Sequence, residues 1–387
     1  MLLEEEGKRV NNAKTDAEST ATRPTRAVID LGAISHNIRE IRKKIGTERD
    51  LMAVVKADAY GHGAVEVART ALESSADCLG VAIPEEGQNL RKAGIDVPIL
   101  VLGLIQPSEA HKVVESSLDQ TVCSVDLAEA LDQEARKASV RVDVHVKVDT
   151  GMSRIGLHPD DAPAFVREIG QMRNLNVKGL FTHFPTADAS DKSFSRRQID
   201  LFNRVIEEIR LMGINIPQKH MANSAGVLDL AESYHDLVRP GIMIYGHYPS
   251  NEVSRSIRLC PAMTFKTRIS FLKTVPPRTP IGYGGSFVTT RETRVATIPV
   301  GYGDGYPRLL SGRGIVSVND RRAPLLGRVC MDMCMIDVSE VPHVQPGDEV
   351  ILFGHAPTVD EIAAIVGTIN YEILCLVGKR VPRIYVR

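Results

Sequence analysis

Tryptophan is absent from this sequence, and the aromatic share is only 5%. An excess of charge of one sign is absent as well, because 47 basic residues balance 48 acidic ones and the formal net charge is −1. A chain with this balance lacks the electrostatic signature of a nucleic-acid or membrane-surface partner, and we expect neither. The 43% hydrophobic share is that of an ordinary globular protein.

Long apolar runs and paired cysteines are also missing. No stretch approaches the roughly 20 apolar residues that a membrane-spanning helix needs. The first 24 residues are polar and lack the apolar centre of a signal peptide. The six cysteines form no C-x-x-C pair, and the closest two, in "CMDMC" (330–334), have no cluster at zinc spacing beside them. We therefore expect a cytoplasmic protein with reduced thiols, no metal, and a polar tail over residues 1–24.

Short apolar runs alternate with helical patterns between residues 25 and 255. Continuous apolar runs are typical of parallel strands that are buried on both faces. Eight of them with intervening helices predict an α/β fold of the (β/α)8 TIM-barrel type. An open doubly wound sheet is the alternative, because periodicity alone does not separate the two. The predicted strands are 51–55, 78–82, 97–102, 120–125, 141–148, 177–182, 218–222 and 237–245.

Three of the helical patterns carry clear signals. Phe202, Val205 and Ile209 recur at helical spacing with charged residues on the other face. The segment "VDLAEALDQEARKA" begins with a cap signal at Asp126, and "PEEGQNLRKAG" ends in a glycine stop.

The pattern changes after residue 255. Alternating and β-branched segments separated by Gly and Pro predict a mostly β domain over residues 256–387. The strand near 27–31 precedes the barrel and is a candidate to pair with this second domain.

Lys56 lies in "AVVKADAYGHG" (53–63), directly after an apolar strand. In a barrel, the chemistry takes place at the carboxyl ends of the strands, and Lys56 occupies such a position. A partly desolvated lysine has a lowered pKa and can form a Schiff base with an aldehyde, and Tyr60 would lie one helical turn further along. Position alone leaves a solvated surface lysine as the alternative.

Candidates for a phosphate cradle follow the last two predicted strands. Ser224 opens a predicted helix after the seventh strand, and Gly241 and Ile242 follow the start of the eighth. Barrel enzymes frequently bind phosphate after strands seven and eight. A simple helix cap is the alternative for Ser224.

From Arg26 to the C-terminus the sequence resembles bacterial alanine racemases, which are fold-type III enzymes dependent on pyridoxal phosphate. Separate motifs in the same order make this resemblance specific. They are "AVVKADAYGHG", "VKVDTGMSRIG", "THFPTAD", "HMANSAG", "VRPGIMIYG", "IGYGGSF", "PVGYGDGYPR", "GRVCMDMCMIDV" and "INYEIL".

The resemblance implies pyridoxal 5′-phosphate as cofactor, with Lys56 holding it covalently. It implies two catalytic bases on opposite faces of the cofactor, Lys56 for the D-enantiomer and Tyr283 for the L-enantiomer. Asp332 is an implied supporting residue, and Lys147 matches a position that is carbamylated in several members. The implied cofactor contacts are Tyr60, His183, Ser224, Arg239, Gly241, Ile242 and Tyr371, with Arg239 facing the pyridine nitrogen. The implied substrate contacts are Arg154, Met331 and Tyr302.

The resemblance further implies interconversion of L- and D-alanine, which supplies D-alanine for peptidoglycan, by a homodimer whose active sites are shared between subunits. A racemase of other or broader specificity, for serine or lysine, is the main alternative. A fold-related amino-acid decarboxylase is disfavoured by Arg239, since those relatives place a glutamate at that position. A non-catalytic carrier of the cofactor is disfavoured by the predicted β domain.

Overall fold

The computed structural model of this protein describes residues 23–387. The predicted N-terminal tail therefore lies, up to residue 22, outside the described residues. By their internal contacts, residues 34–59 and 63–260 form one compact unit, called here the barrel unit. Residues 23–33, residues 60–62 and Pro261–Arg387 form the second, called here the β unit. The predicted domain boundary between residues 255 and 256 remains a prediction.

The described chain begins with strand β1 (Arg26–Asp30), which belongs to the β unit. Parallel strands β2 to β9 then form an eight-stranded sheet in the barrel unit, in which consecutive strands from β2 to β8 lie side by side and β9 lies beside β2. They are β2 (Asp50–Val54), β3 (Cys78–Val81), β4 (Ile99–Val101), β5 (Asp119–Val122), β6 (Val142–Lys147), β7 (Leu175–Phe181), β8 (Gln218–His220) and β9 (Leu237–Val238).

Backbone hydrogen bonds close this sheet. Strand β9 pairs with β2 through Asp50 and Leu51. On its other side, the Asp236 N–H donates to the Lys219 carbonyl at 3.1 Å, and the Arg239 N–H donates to the Ala222 carbonyl at 2.9 Å. The last strand of the sheet, β9, is thus bonded on one side to the first strand, β2, and on the other side to the β8 segment. A sheet that closes on itself in this way is a barrel. The predicted (β/α)8 class is therefore confirmed, and the open doubly wound sheet is excluded.

The predicted last strand is wrong in its length. Residues 237–245 read as one apolar run, but only Leu237 and Val238 are extended. Pro240 has no N–H to give to a neighbouring strand, so the ladder cannot continue through it. The chain turns at Gly241 and continues as a 3₁₀ helix over Ile242–Tyr245.

Helices connect the barrel strands, and their apolar faces cover the sheet. In α7 the buried residues include Phe202, Val205 and Ile209, at the predicted spacing. The predicted cap at Asp126 is wrong, because α5 is preceded by Ser124 and Asp126 lies in its first turn, where a carboxylate still favours the helix dipole. The helices are α1 (Leu31–Ile45), α2 (Ala64–Glu73), α3 (Pro84–Lys92), α4 (Ala110–Glu115), α5 (Val125–Ala138), α6 (Ala162–Ile169), α7 (Ser193–Leu211) and α8 (Ser224–Asp229).

The turn that follows Lys56 is left-handed. Ala57, Asp58 and Ala59 have φ and ψ near +50°, and Tyr60 has φ of 52°. This conformation costs about 1–2 kcal/mol per residue with a side chain. Local hydrogen bonds compensate: the Ala57 N–H donates to Glu86 Oε1 at 2.7 Å, and the Asp58 carboxylate accepts from the Ala64 N–H at 2.8 Å. The predicted helical turn to Tyr60 therefore exists with the opposite hand.

The β unit contains a nine-stranded sheet and a small hairpin. Strand β1 lies inside this sheet, antiparallel to β10 and parallel to β19. The strand order in the sheet is β11-β14-β17-β16-β15-β18-β10-β1-β19, and β12 pairs with β13. The strands are β10 (Met263–Arg268), β11 (Phe271–Val275), β12 (Pro280–Ile281), β13 (Phe287–Val288), β14 (Thr293–Ile298), β15 (Ile315–Val318), β16 (Arg321–Leu326), β17 (Cys334–Asp337), β18 (Glu349–Phe353) and β19 (Arg383–Val386).

Two helices, α9 (Val359–Val366) and α10 (Asn370–Leu376), complete the β unit. The mostly β character predicted for the C-terminal part is confirmed. Among residues 23–387, no helix combines the length and the apolar character needed to cross a membrane.

Candidate active site

Arg239 is the centre of the polar groups at the carboxyl ends of the barrel strands. It is buried and follows β9 by one residue. Its Nη1 lies 2.7 Å from His220 Nδ1, and its Nη2 donates to the Thr182 carbonyl at 2.7 Å and approaches His183 Nδ1 at 3.3 Å. Burial lowers the pKa of Arg239 to about 9, so the guanidinium still carries its charge at neutral pH. A charged group is therefore held rigidly in the barrel interior.

The two histidines beside Arg239 are neutral for the same reason. Burial, followed by the positive charge of Arg239, lowers the pKa of His220 well below its ordinary value of 6.5. His183 shows the same direction, and the charged side chains that act on it are all cations: Arg239, Lys147, Arg154 and Lys56. Four basic side chains thus lie in the surroundings of His183.

Lys147 and Arg154 form the second part of this cationic group. Lys147 ends β6 and is buried, with its Nζ 4.7 Å from the centre of the Phe181 ring. Burial, then Arg239 and Arg154, lowers its pKa well below the ordinary value of 10.5. Arg154 lies in an exposed loop after β6. A neutral amine beside a cation is the chemical state that can take up carbon dioxide, and the resulting anion would be held by the neighbouring guanidinium.

Lys56 is half-buried at the end of β2. Hydrogen bonds on both sides fix the strand before it: the Val55 N–H donates to the Gly80 carbonyl at 2.8 Å, and the hydroxyl of the fully buried Tyr245 donates to the Val54 carbonyl at 2.8 Å. The lysine is therefore carried by a rigid strand end and followed by the left-handed turn.

Ser224 and Gly241 come together as predicted, but Ser224 does not cap its helix. The Asn223 side chain caps α8 by accepting from the Gly226 N–H at 3.0 Å. The buried Ser224 hydroxyl instead accepts from the Gly241 N–H at 2.9 Å. Ile242 begins the 3₁₀ helix that follows. The loop after β9 is thereby tied to the loop after β8.

In the β unit, Tyr283, Met331 and Asp332 line one open pocket of about 680 Å³. Tyr283 is 70% exposed and begins a short 3₁₀ turn. Gly282 before it has φ of +71°, and a Cβ there would lie 2.9 Å from Met335 Cε. The positive φ is what favours a glycine at this position, since the methionine methyl group is the end of a flexible side chain.

Tyr302 lies next to this pocket on a loop tied to Met331. The Tyr302 N–H donates to the Cys330 carbonyl at 3.0 Å, and the Gly303 N–H donates to the Met331 carbonyl at 2.9 Å. Arg380 supports the same loops through ion pairs to Asp332 at 2.7 Å and to the buried Asp304 at 2.8 Å. The two loops therefore form one connected surface.

Tyr60 and Tyr371 meet elsewhere in the β unit. Their ring centres are 5.9 Å apart. Tyr60 is buried, and this burial raises the pKa of its hydroxyl.

The predicted site residues thus fall into groups. Lys56, Lys147, Arg154, His183 and Arg239 are linked through the electrostatics around His183, and Ser224, Gly241 and Ile242 lie in the two tied loops of the same unit. The structure shows four further residues that the sequence did not single out: His220, Tyr245, Asp304 and Arg380. His220 stood within "HMANSAG" and Asp304 within "GYGDGYPR", but each acquires its role only through a partner distant in the chain.

Comparisons with known proteins identify the family of this chain. The family model for the alanine racemase N-terminal domain matches residues 29–249, and the model for the alanine racemase C-terminal domain matches residues 262–385. The alanine racemase of Halothermothrix orenii is 48% identical over 368 residues, which cover 94% of this chain and 97% of that protein. The alanine racemase of Desulforamulus reducens is 49% identical over 366 residues, with 94% and 99% covered.

A solved structure has the same fold. The alanine racemase of Bacillus anthracis with bound L-Ala-P superimposes with a TM-score of 0.90 at 35% identity, covering 95% of this chain and 96% of that chain. With both family models and near full-length relatives matched, this chain belongs to the alanine racemase family.

Proposed function

We propose that this chain interconverts L- and D-alanine with pyridoxal 5′-phosphate bound at Lys56, so that it supplies D-alanine for peptidoglycan. The observation that supports this most directly is that four basic side chains, Lys56, Lys147, Arg154 and Arg239, surround His183. The charges among them, on Arg239 above all, lie in a partly desolvated place and require anionic ligands to balance them. A phosphate ester and the carboxylate of an amino acid meet that requirement.

The residues present suit this cofactor. The Ser224 hydroxyl, which accepts from the Gly241 N–H at 2.9 Å and keeps its own hydrogen to donate, is a type of donor that holds a phosphate, and Lys56 is the amine for the aldehyde. When bound, pyridoxal phosphate supplies an electron-withdrawing ring that acidifies the α-proton of an attached amino acid.

Arg239 would hold the ring nitrogen. Its hydrogen bonds to His220, Thr182 and His183 come from Nη1 and Nη2, so its Nε–H is the donor not used in them. A guanidinium has no acceptor and keeps its proton, so it donates a hydrogen bond without giving up a proton. Such a partner keeps the ring a moderate electron sink, which suits a reaction that returns the proton to the same carbon.

Two bases move the proton. The Lys56 amine would remove the α-proton from D-alanine, and the Tyr283 phenolate would remove it from L-alanine. In each direction the other residue would act as the acid and give a proton to the α-carbon from the opposite face. A phenol with an ordinary pKa near 10 is a weak base at neutral pH, so Tyr283 needs a cation close to its oxygen in the assembled site. Racemisation follows because the two bases work on opposite sides of the α-carbon.

The remaining predicted residues would bind and orient the substrate. The Arg154 guanidinium and the Met331 N–H would hold the alanine carboxylate, with Tyr302 and Asp332 beside it. A carbamate on Lys147 would orient Arg154, and the lowered pKa of Lys147 supplies the neutral amine that this modification needs.

A homodimer would bring the two sets of residues together, with Tyr283, Tyr302 and Met331 supplied to the barrel of a second copy. These three side chains are 70%, 42% and 53% exposed in the single chain. Exposed apolar groups clustered around one pocket are typical of an interaction surface. Subunit mixing tests this: a Lys56→Ala chain and a Tyr283→Phe chain should regain activity when mixed, because one of the two shared sites is then intact.

The deciding experiment is incubation of the protein, loaded with pyridoxal phosphate, with L-alanine in D₂O, followed by chiral separation and mass analysis. D-alanine with deuterium at the α-carbon is the expected product. If cofactor is bound but alanine neither racemises nor exchanges, the proposal is overturned for alanine, and serine and lysine become the substrates to examine.

Single variants separate the two bases. Lys56→Ala should abolish covalent attachment of the cofactor, measured by mass after borohydride reduction, whereas Lys43→Ala at a surface ion pair should not. Tyr283→Phe should retain the cofactor and lose the interconversion of L- and D-alanine, with Tyr248→Phe as the control for loss of one hydroxyl. Full turnover in both site variants would contradict the two-base assignment.

A further inference from the structure

A row of buried polar side chains crosses the barrel interior from Arg239 to the opposite barrel end. His220 Nδ1 lies 2.7 Å from Arg239 Nη1, and His220 Nε2 lies 2.9 Å from His145 Nδ1. His145 Nε2 in turn lies 3.6 Å from Asp119 Oδ2. Arg239 follows the carboxyl end of β9, whereas Asp119 is the first residue of β5. The row therefore joins the two mouths of the barrel.

The end groups of this row fix the position of each hydrogen. Arg239 can only donate, so His220 Nδ1 must accept and the proton of this neutral ring lies on Nε2. That proton is donated to His145 Nδ1, so the proton of His145 lies on Nε2 and faces Asp119. A carboxylate only accepts, so both ends demand the same direction of donation.

The far end is held as an anion. Burial opposes ionisation of Asp119, but His145 and Lys178 outweigh it and hold its pKa below the ordinary value of 3.8. Lys178 Nζ lies 2.8 Å from Asp119 Oδ2 and 3.0 Å from Asp143 Oδ2. At 3.6 Å the contact between His145 Nε2 and Asp119 is longer than a hydrogen bond, so the negative charge of Asp119 acts on the dipole of the neutral His145 N–H.

The backbone makes room for this row. A Cβ on Gly179 would lie 2.0 Å from His145 Nδ1, and the pairing of β6 with β7 shifts register between Val144 and His145. Phe181 stacks on His220 with ring centres 4.8 Å apart and planes 5° apart. Strand geometry and packing therefore both hold the imidazoles in place.

We propose that Asp119 and His145 are positioning residues for Arg239, which they hold in place by fixing the tautomer of His220. This rests on the proposed function, in which Arg239 partners the cofactor ring nitrogen. Neither residue touches a reacting atom. Their part is to keep the His220 Nδ1 lone pair directed at the guanidinium during turnover.

Asp119→Asn is the direct test, because Lys178 Nζ and His145 Nε2 both face Oδ2. An amide with its oxygen at that position keeps the contact to Lys178 but removes the negative charge that faces the His145 Nε2 proton, and an amide with its nitrogen there presents a donor to His145. In either orientation the His145 proton is no longer held on Nε2. Asp143→Asn is the matched control, since Asp143 also pairs with Lys178, while its other carboxylate oxygen accepts from the Asn176 side chain at 2.7 Å. Two readouts are taken on the full-length chain: kcat and KM for alanine, and the imidazole nitrogen resonances of the ¹⁵N-histidine-labelled protein.

We expect Asp119→Asn to lower kcat about tenfold and to change KM by less than about twofold. A tenfold loss lies at the lower end of the range found when hydrogen-bond partners of metal-bound histidines are removed. The His145 and His220 resonances should shift as well, and Asp143→Asn should change neither readout. The inference is overturned if the resonances and kcat stay at wild-type values, or if both variants lose activity equally.

His145→Asn gives an independent measurement if Asp119→Asn does not fold. Its amide oxygen can accept from His220 but does not reach Asp119, so it should reproduce the kcat loss, and the double variant should be no worse than either single one. Fully additive losses would contradict a shared role. The tautomer readout needs no turnover, so a failure of the proposed racemase activity would be distinguishable from a failure of this inference.

Discussion

Acidification should destabilise the barrel through His220. The side chain is fully buried between Arg239, His145 and Phe181, and burial followed by the charge of Arg239 keeps its pKa well below 6.5. In the unfolded chain the same imidazole binds a proton with a pKa of about 6.5. Below that pH the unfolded state therefore holds one proton more than the folded state, and the free energy of unfolding falls as the pH falls.

The magnitude follows from this proton. One differentially bound proton changes the free energy of unfolding by about 1.4 kcal/mol per pH unit, so the loss between pH 7.5 and pH 5.0 is about 2 kcal/mol. The contribution of the neutral His220 imidazole to stability is fully present above pH 6.5. It is lost as the pH falls from 6.5 to the lowered pKa of the folded state. His183 has a pKa shifted in the same direction and should add to the loss in the wild type.

Urea unfolding of the wild type and of His220→Asn at the two pH values isolates the effect. Asparagine keeps an acceptor for Arg239 Nη1 but does not titrate, so the variant should lose about 2 kcal/mol less than the wild type on acidification. The same substitution at the exposed His111 controls for the loss of one histidine. An equal pH dependence in the wild type and in His220→Asn would refute the conclusion that the buried imidazole stays neutral.

Other perturbations give equally direct outcomes. Lys147→Met removes a buried amine with a lowered pKa, so in carbon-dioxide-free buffer it should raise the free energy of unfolding at pH 7, and added bicarbonate should stabilise only the wild type. Gly179→Ala brings a methyl group against His145 and should cost about 1–3 kcal/mol of stability by overpacking, measured by urea unfolding. Arg380→Leu removes the ion pairs to Asp304 and Asp332, so it should raise KM for alanine more than it lowers kcat, and equal KM values would contradict its support of the Met331 loop.

The alternation of strands and helices made the barrel predictable, because a parallel strand buried on both faces leaves a continuous apolar run in the sequence. The same rule failed at residues 237–245, since hydrophobicity does not record that Pro240 cannot continue a ladder into Gly241. The hand of the turn after Lys56 was also missed, because Ala57 and Ala59 are residues that favour right-handed helices.

The candidate site was predictable where a residue follows a strand end, as Lys56 and Arg239 do. The supporting contacts were not. His220 and Arg239 are 19 positions apart, and His145 and His220 are 75 apart. Their contacts depend on which strands are neighbours in the closed barrel and on the register between them, which a local pattern does not contain.

The left-handed turn also has a consequence for the order of folding. Its four residues carry angles that an L-peptide avoids, at about 4–8 kcal/mol in total, whereas the same angles are the relaxed helical ones for D-residues. A peptide of residues 53–63 alone would not keep this shape, so the turn must form after β2, β3 and Glu86 are in place to hold it. Lys56 thus acquires its local geometry late, after the strands on either side of it have formed. Chemical synthesis with D-alanine at positions 57 and 59 would shift that order towards early formation of the turn.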